Sequence, residues 1–278
     1  VTALDAEGDL DVGNHRHNVR TLWERSVRGF VLAGSTGEGP YLEPGERETL
    51  CMATRDELAG DPFLVCGIAA ETIRAARSQL EEAAAGEADM VLVMTPTTLV
   101  RGRHHLVEGY FREVADISPL PVLLYTVPGV TGYELPVESV VSLAGHDNVV
   151  GIKDSGGDPE RFAQWAGSVP EGFLGFCGTS RAILASMAAG AHGAITASAN
   201  YAFDLVTRCV GGDAEAQAEL TAAAAAVESD GVAGTKAAAA RAGLRPGPPR
   251  APLLPVDEEA AVLRDAAGGS PSSGVSAR

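Results

Sequence analysis

An apolar run, Asn148-Val149-Val150-Gly151-Ile152, ends in Lys153-Asp154-Ser155. A lysine at the end of such a run is carried into the mouth of a parallel sheet, where a solvated surface lysine has no reason to be. Side chains alternate along a strand, so Lys153 and Ser155 share one face and Asp154 turns to the other, which makes Asp154 a poor ion-pair partner for the lysine. Burial of an amine without a counter-ion disfavours the ammonium and frees a nucleophile for attack on a carbonyl carbon. A second apolar run, Pro121-Val122-Leu123-Leu124, ends in Tyr125-Thr126-Val127-Pro128. Its phenol can carry a proton, although tyrosines at strand ends also serve packing. A third, Gly29-Phe30-Val31-Leu32-Ala33, is followed by Gly34-Ser35-Thr36-Gly37-Glu38. Glycines let a ligand approach the backbone, and N–H groups beside small hydroxyls form a receptor for a carboxylate. A glycine turn between strand and helix is common by itself, and this one lacks the G-x-x-x-x-G-K-[ST] spacing of a phosphate-binding loop.

These strand ends belong to a repeating pattern. Apolar runs at 29–33, 63–68, 89–94, 121–125, 149–153, 173–177 and 193–197 alternate with stretches of helical periodicity near 14–28, 44–59, 71–86, 104–117, 136–145, 158–168 and 180–190. Alternating strand and helix signals a parallel sheet. Pro44 and Pro136 fall where first-turn prolines belong. The expected fold class is α/β, a (β/α)8 TIM barrel over 1–200 with active residues at the C-terminal strand ends. Val1-Thr2-Ala3-Leu4 reads as the loop after a first strand, so that strand is expected to be missing or truncated. Helical segments at 201–210, 213–228 and 232–243 are Ala-rich, and 201–264 is expected to pack on the barrel within one domain. The stretch from Gly268 to Gly274 is rich in Gly, Ser and Pro and cannot offset its ordering entropy, so 265–278 is expected to be a flexible tail.

Composition narrows the function classes. Lys and Arg number 21 against 37 Asp and Glu, and the net charge of −16 repels phosphate backbones and anionic membrane surfaces, so neither nucleic acid nor membrane is an expected partner. No apolar run approaches the roughly 20 residues of a membrane helix. The opening residues do not read as a secretory leader, and the expected location is cytoplasmic. Cys51, Cys66, Cys177 and Cys209 are widely spaced and read as reduced, buried thiols. His15 and His17 would face different ways on a helix and have no acidic or cysteine cluster beside them, so no metal site is expected. His104, His105 and His192 read as hydrogen-bonded structural residues.

Taken in chain order, from Gly34-Ser35-Thr36 through Tyr125 to Lys153, the three strand-end motifs resemble the pyruvate-dependent class I aldolases of the dihydrodipicolinate synthase and N-acetylneuraminate lyase family. The resemblance runs from about Val1 to Leu263. It includes Thr131-Gly132, Gly156-Gly157-Asp158, Gly178, Gly190-Ala191-His192-Gly193-Ala194-Ile195 with Asn200, and Pro249-Arg250-Ala251-Pro252-Leu253. Arg101-Gly102-Arg103 and the run from Ala115 to Pro121 look closest to 4-hydroxy-2-oxoglutarate aldolases. The resemblance implies a Schiff base at Lys153, proton transfer through Tyr125 with Thr36 as relay, and a carboxylate receptor at Gly34, Ser35 and Thr36. It also implies that the Ile195 carbonyl and Ser155 line the pocket. A small 2-oxo acid and an aldehyde are the implied partners, no metal or organic cofactor is implied, and the expected assembly is a homo-oligomer, a tetramer.

Two departures from the family pattern bear on specificity. Thr97 and Thr98 stand where many members carry paired tyrosines, so the hydroxyl relay is shortened or rebuilt with water. Val130 stands where dihydrodipicolinate synthases carry an arginine for an acidic aldehyde, and valine cannot supply that contact. The leading expectation is a carbon–carbon lyase for a 4-hydroxy-2-oxo acid. A 4-hydroxy-tetrahydrodipicolinate synthase or related dehydratase and a catalytically silent 2-oxo-acid-binding barrel are the alternatives.

Overall fold

A computed structural model describes residues 1–256 and shows seven parallel strands in sequential order, curled into a barrel-like sheet with helices outside. The strands are β1 (Gly29–Leu32), β2 (Phe63–Ile68), β3 (Met90–Met94), β4 (Val122–Thr126), β5 (Val149–Asp154), β6 (Leu174–Cys177) and β7 (Gly193–Ala194). Each apolar run of the sequence holds one of them. The last run is the exception in length, because the strand stops at Ala194 and the chain turns into a 3-10 segment over Ala197–Asn200. Among the described residues β1 pairs only with β2 and β7 only with β6, so an eighth strand is not among them.

The helices are α1 (Val12–Glu24), α2 (Glu46–Glu57), α3 (Ile73–Ala85), α4 (His104–Ile117), α5 (Pro128–Thr131), α6 (Val137–Ala144), α7 (Glu160–Ala166), α8 (Ile183–Ala188), α9 (Phe203–Val210), α10 (Ala214–Glu228) and α11 (Gly231–Arg241). Three begin on side-chain caps that satisfy otherwise orphaned amides. Asp11 accepts from Asn14 N, Thr72 from Ala75 N, and Asp213 from Ala216 N. The two prolines are displaced from the first turn. Pro136 is the N-cap residue of α6, and Pro44 precedes the glycine cap of α2, whose left-handed φ of +87° suits Gly45.

Strand alternation divides the core into two layers. Val65, Met90, Leu92, Leu123 and Tyr125 fill the barrel interior, while Leu64, Cys66, Val91, Val93, Leu124 and Ile152 face the helices. Each fully buried aliphatic side chain of this kind contributes roughly 1.5–3 kcal/mol. The outer layer extends to the C-terminal helices, since Ala216 and Leu220 of α10 join the same cluster. All four cysteines are buried and free. Among the described residues no helix is long and apolar enough to cross a membrane.

Candidate active site

The parallel register sets Lys153 on β5 beside Tyr125 on β4 and Phe176 on β6. Lys153 is 7% exposed, and its Nζ lies 4.1 Å from the centroid of the Tyr125 ring. Alternation carries Asp154 to the other side of the sheet. There its carboxylate accepts from Arg161 Nε at 2.9 Å and from Gly156 N at 2.8 Å, so the neighbouring charge is spent away from the lysine. Among the described residues Lys153 forms no ion pair. The chain contains only two lysines, and the other, Lys236, is held 2.6 Å from Glu38 Oε1.

Tyr125 is fixed at both ends. Its carbonyl accepts from Thr95 N and Thr95 Oγ1, and its hydroxyl lies 2.9 Å from Ser35 Oγ. The resemblance implies Thr36 as the relay hydroxyl, and the hydroxyl within hydrogen-bond distance of the phenol is that of its neighbour Ser35. One residue of drift along a tight turn exchanges the two side chains, and the turn's conformation is not legible from a Gly-Ser-Thr-Gly string. Burial pushes the Tyr125 phenol up, but the Lys153 charge and hydrogen bonds from Ser35, Lys153 and Ser155 outweigh it, leaving the phenol below its usual value.

The glycine-rich loop is held in a strained form. Ala33 and Glu38 bracket it with φ of +55° and +58°, a region that costs a non-glycine residue on the order of 1 kcal/mol or more. Gly67 on β2 permits this path, because a Cβ there would collide with the Ala33 carbonyl. The Glu38 carboxylate, fully buried, secures the far side through an ion pair with Lys236 of α11 and by accepting from Arg250 N at 2.6 Å. Arg250 in turn forms a fork with Glu46, at 2.7 and 2.8 Å. The sequence-predicted site thus depends on C-terminal residues that strand-end reasoning does not reach.

Two cavities meet at Lys153. One, about 230 Å³, runs between the free edges of β1 and β7 and is lined by Gly34, Ser35, Thr36, Lys153 and Ile195. The other, about 610 Å³, opens at the mouth and is lined by Ser35, Thr36, Tyr125, Lys153, Ser155, Val130 and Arg181, with residues of α10 and α11. All seven residues singled out in the sequence therefore line one cavity or the other. Thr97 lines the mouth as well, and its amide and that of Thr98 donate to the Glu71 carboxylate. His104 and His192 are engaged elsewhere, with Tyr133 and Gly175 N, and His15, which also lines the smaller cavity, pairs with Thr54.

A curled parallel sheet whose strand ends gather a lysine, a tyrosine and a hydroxyl-bearing glycine loop is the plan of a barrel lyase. The chain belongs to the dihydrodipicolinate synthetase family, whose model matches residues 1–264. An uncharacterised DapA-like lyase of Halobacterium salinarum is 34% identical over 269 residues, covering 93% of this chain and 88% of that protein. The 4-hydroxy-tetrahydrodipicolinate synthase 1 of Streptomyces coelicolor is 34% identical over 271 residues, with the same coverage of 93% and 88%. Among solved structures, a dihydrodipicolinate synthase of Thermus thermophilus, described as putative, superposes with a TM-score of 0.80 at 31% identity, covering 96% of each chain. The dihydrodipicolinate synthase of Acinetobacter baumannii, solved complexed with pyruvate, gives 0.82 at 25% identity, covering 96% of this chain and 95% of its own. Membership makes the chain a pyruvate-dependent lyase of this family.

Proposed function

We propose that the chain is a class I aldolase of the 4-hydroxy-2-oxo-acid type, with Lys153 as the Schiff-base nucleophile. The observation that carries this reading is the environment of Lys153, a buried amine without a counter-ion against the Tyr125 ring. In the proposed cycle the neutral amine adds to C2 of the 2-oxo acid, and the carbinolamine loses water to give an iminium. Tyr125, as phenolate, takes the proton of the C4 hydroxyl. The C3–C4 bond then breaks, its electron pair enters the iminium to give an enamine, and an aldehyde leaves. Protonation at C3 and hydrolysis return pyruvate and the amine. Ser35 is the partner that holds the phenol, and Gly34, Ser35 and Thr36 receive the C1 carboxylate, with Ser155 and the Ile195 carbonyl lining the pocket. The low phenol value supports this role, since a phenolate can act as base nearer to neutral pH.

Incubation with pyruvate and borohydride tests the chemistry directly. One reduced adduct per chain is expected, mapped to Lys153 and absent in K153A. An adduct on Lys236, or none in active protein, overturns the mechanism. A synthase reading is favoured by the name of the Streptomyces relative. Against it, the 63% exposed Val130 presents an apolar side chain at the mouth. Condensation of aspartate semialdehyde with pyruvate at a rate comparable to solvent exchange of the pyruvate methyl protons would move the assignment to the synthase. The active form is proposed to be a homo-oligomer, for which light scattering at micromolar concentration gives the mass.

A further inference from the structure

We propose that Arg181 is a specificity-determining residue that binds a second carboxylate, the one on the aldehyde fragment, so that the substrate is a 2-oxo diacid. This inference rests on the aldolase reading of Lys153. Arg181 lies in the turn after β6 and lines the same mouth cavity as Lys153, Tyr125 and Ser155. β6 pairs with β5, and the turn is tied to the strand end of the lysine by Gly178 N donating to Asp154 O and Ser155 Oγ donating to Gly178 O. A Cβ at position 178 would collide with the Ser155 hydroxyl, so glycine is what allows this approach.

The backbone that carries Arg181 is anchored. Ser180, 1% exposed, donates to Glu228 and meets Ser198 Oγ at 2.8 Å, and its carbonyl accepts from Gln217 Nε2 at 3.0 Å. The Arg181 side chain itself is exposed and forms no hydrogen bond or ion pair among the described residues. The carboxylates that border the cavity have other partners. Glu38 is held by Lys236 and Arg250, and Glu228 accepts from Ser180. A free guanidinium on a rigid turn, facing the reaction chamber of a protein with a net charge of −16, is an isolated positive site. Such a fork matches a carboxylate with two parallel hydrogen bonds. Val130 supplies only apolar surface at the same mouth. With the C1 carboxylate at the glycine loop and C2 at Lys153, the cavity's second cation falls to the other end of the substrate.

The test compares two aldehydes of similar size as partners for pyruvate, glyoxylate with a carboxylate and glycolaldehyde without one. Wild-type protein is expected to prefer glyoxylate in kcat/KM. In R181Q the glyoxylate-to-glycolaldehyde ratio is expected to fall about ten- to a hundredfold, the range for a lost charge-assisted hydrogen bond, and R181K is expected to recover part of it. The borohydride-trapped pyruvate adduct should still form in R181Q, which shows that the variant retains a folded site. An unchanged ratio in R181Q, or a wild-type enzyme that does not prefer glyoxylate, overturns the role of Arg181 alone. Absence of the adduct in wild type overturns the aldolase reading, and this assignment with it.

Discussion

Ser35 Oγ and the Tyr125 hydroxyl lie 2.9 Å apart across the barrel mouth, while Thr36, the next residue, lines the cavity without a hydrogen bond to the phenol. The two hydroxyls of one short loop therefore have separate expected effects. S35A removes a bond that lowers the phenol's pKa, so the rise in activity with pH, which follows phenolate formation, should move to higher pH. Its kcat should fall about ten- to a hundredfold. T36V should instead raise the KM for the 2-oxo acid and leave the pH limb where it is. Steady-state pH–rate profiles of the two variants check this, and identical profiles would contradict the division of labour.

A second prediction concerns acid stability. His15 is 3% exposed, and burial lowers its pKa from 6.5 to about 4. Thr54 Oγ1 donates to Leu50 O, which leaves its oxygen to accept from a neutral His15 Nε2–H at 2.9 Å. Between the two pKa values the unfolded chain binds a proton that the folded chain refuses, so stability is intact above about 6.5 and declines as pH falls toward 4. The loss from this group is at most on the order of 3 kcal/mol. H15Q keeps a donor to Thr54 without titrating, and its urea midpoint should fall less steeply than wild type from pH 6.5 to 4. Parallel curves would remove His15 from the account.

The third prediction addresses the Glu38–Lys236 pair, 2.6 Å apart with both side chains buried. Removing one partner leaves the other charged and desolvated, so E38Q or K236M should each cost about 3–5 kcal/mol, and the double variant less than their sum. Urea titrations of the four proteins give the coupling. Strict additivity would mean that the pair is not interacting. Both single variants should also weaken trapping of pyruvate, since the strained turn from Ala33 to Glu38 loses its outer support.

The strand ends were legible because each apolar run is short, unbroken and followed by polar residues that fit no helix face. Lys153 and Tyr125 come from such runs, and parallel pairing of consecutive strands brings them together without further information. Asp154 was readable as turned away for the same reason, and its partner is Arg161 on α7. Which of the two hydroxyls reaches the phenol was not readable, since the loop that carries them is bracketed by two left-handed residues, Ala33 and Glu38, neither of which is a glycine. Arg181, to which the diacid specificity is assigned as a proposal, also occupies a strand end. Gly178-Thr179-Ser180-Arg181 follows β6 just as Gly34-Ser35-Thr36 follows β1, and a free cation beside a predicted barrel mouth was a signal in plain sight. The scarcity of lysine was another, because a chain with two lysines that buries both has reserved each for a specific contact. The expected tail at 265–278 lies outside the described residues.

The bond from Arg250 N to Glu38 spans 212 residues. At the pace of bacterial or eukaryotic translation, roughly 5–20 residues per second, the carboxylate waits on the order of ten to forty seconds for its partner to be made. During that interval the nascent chain acquires Tyr125 and then Lys153, but the turn beside them has nothing to hold Glu38 in its left-handed conformation. Order of synthesis thus separates Lys153 from the anchoring of the glycine-rich loop in time. A chain arrested before Lys236 carries the amine without the anchored glycine-rich loop, and α11, the last helix among the described residues, is the one that secures a loop made long before it.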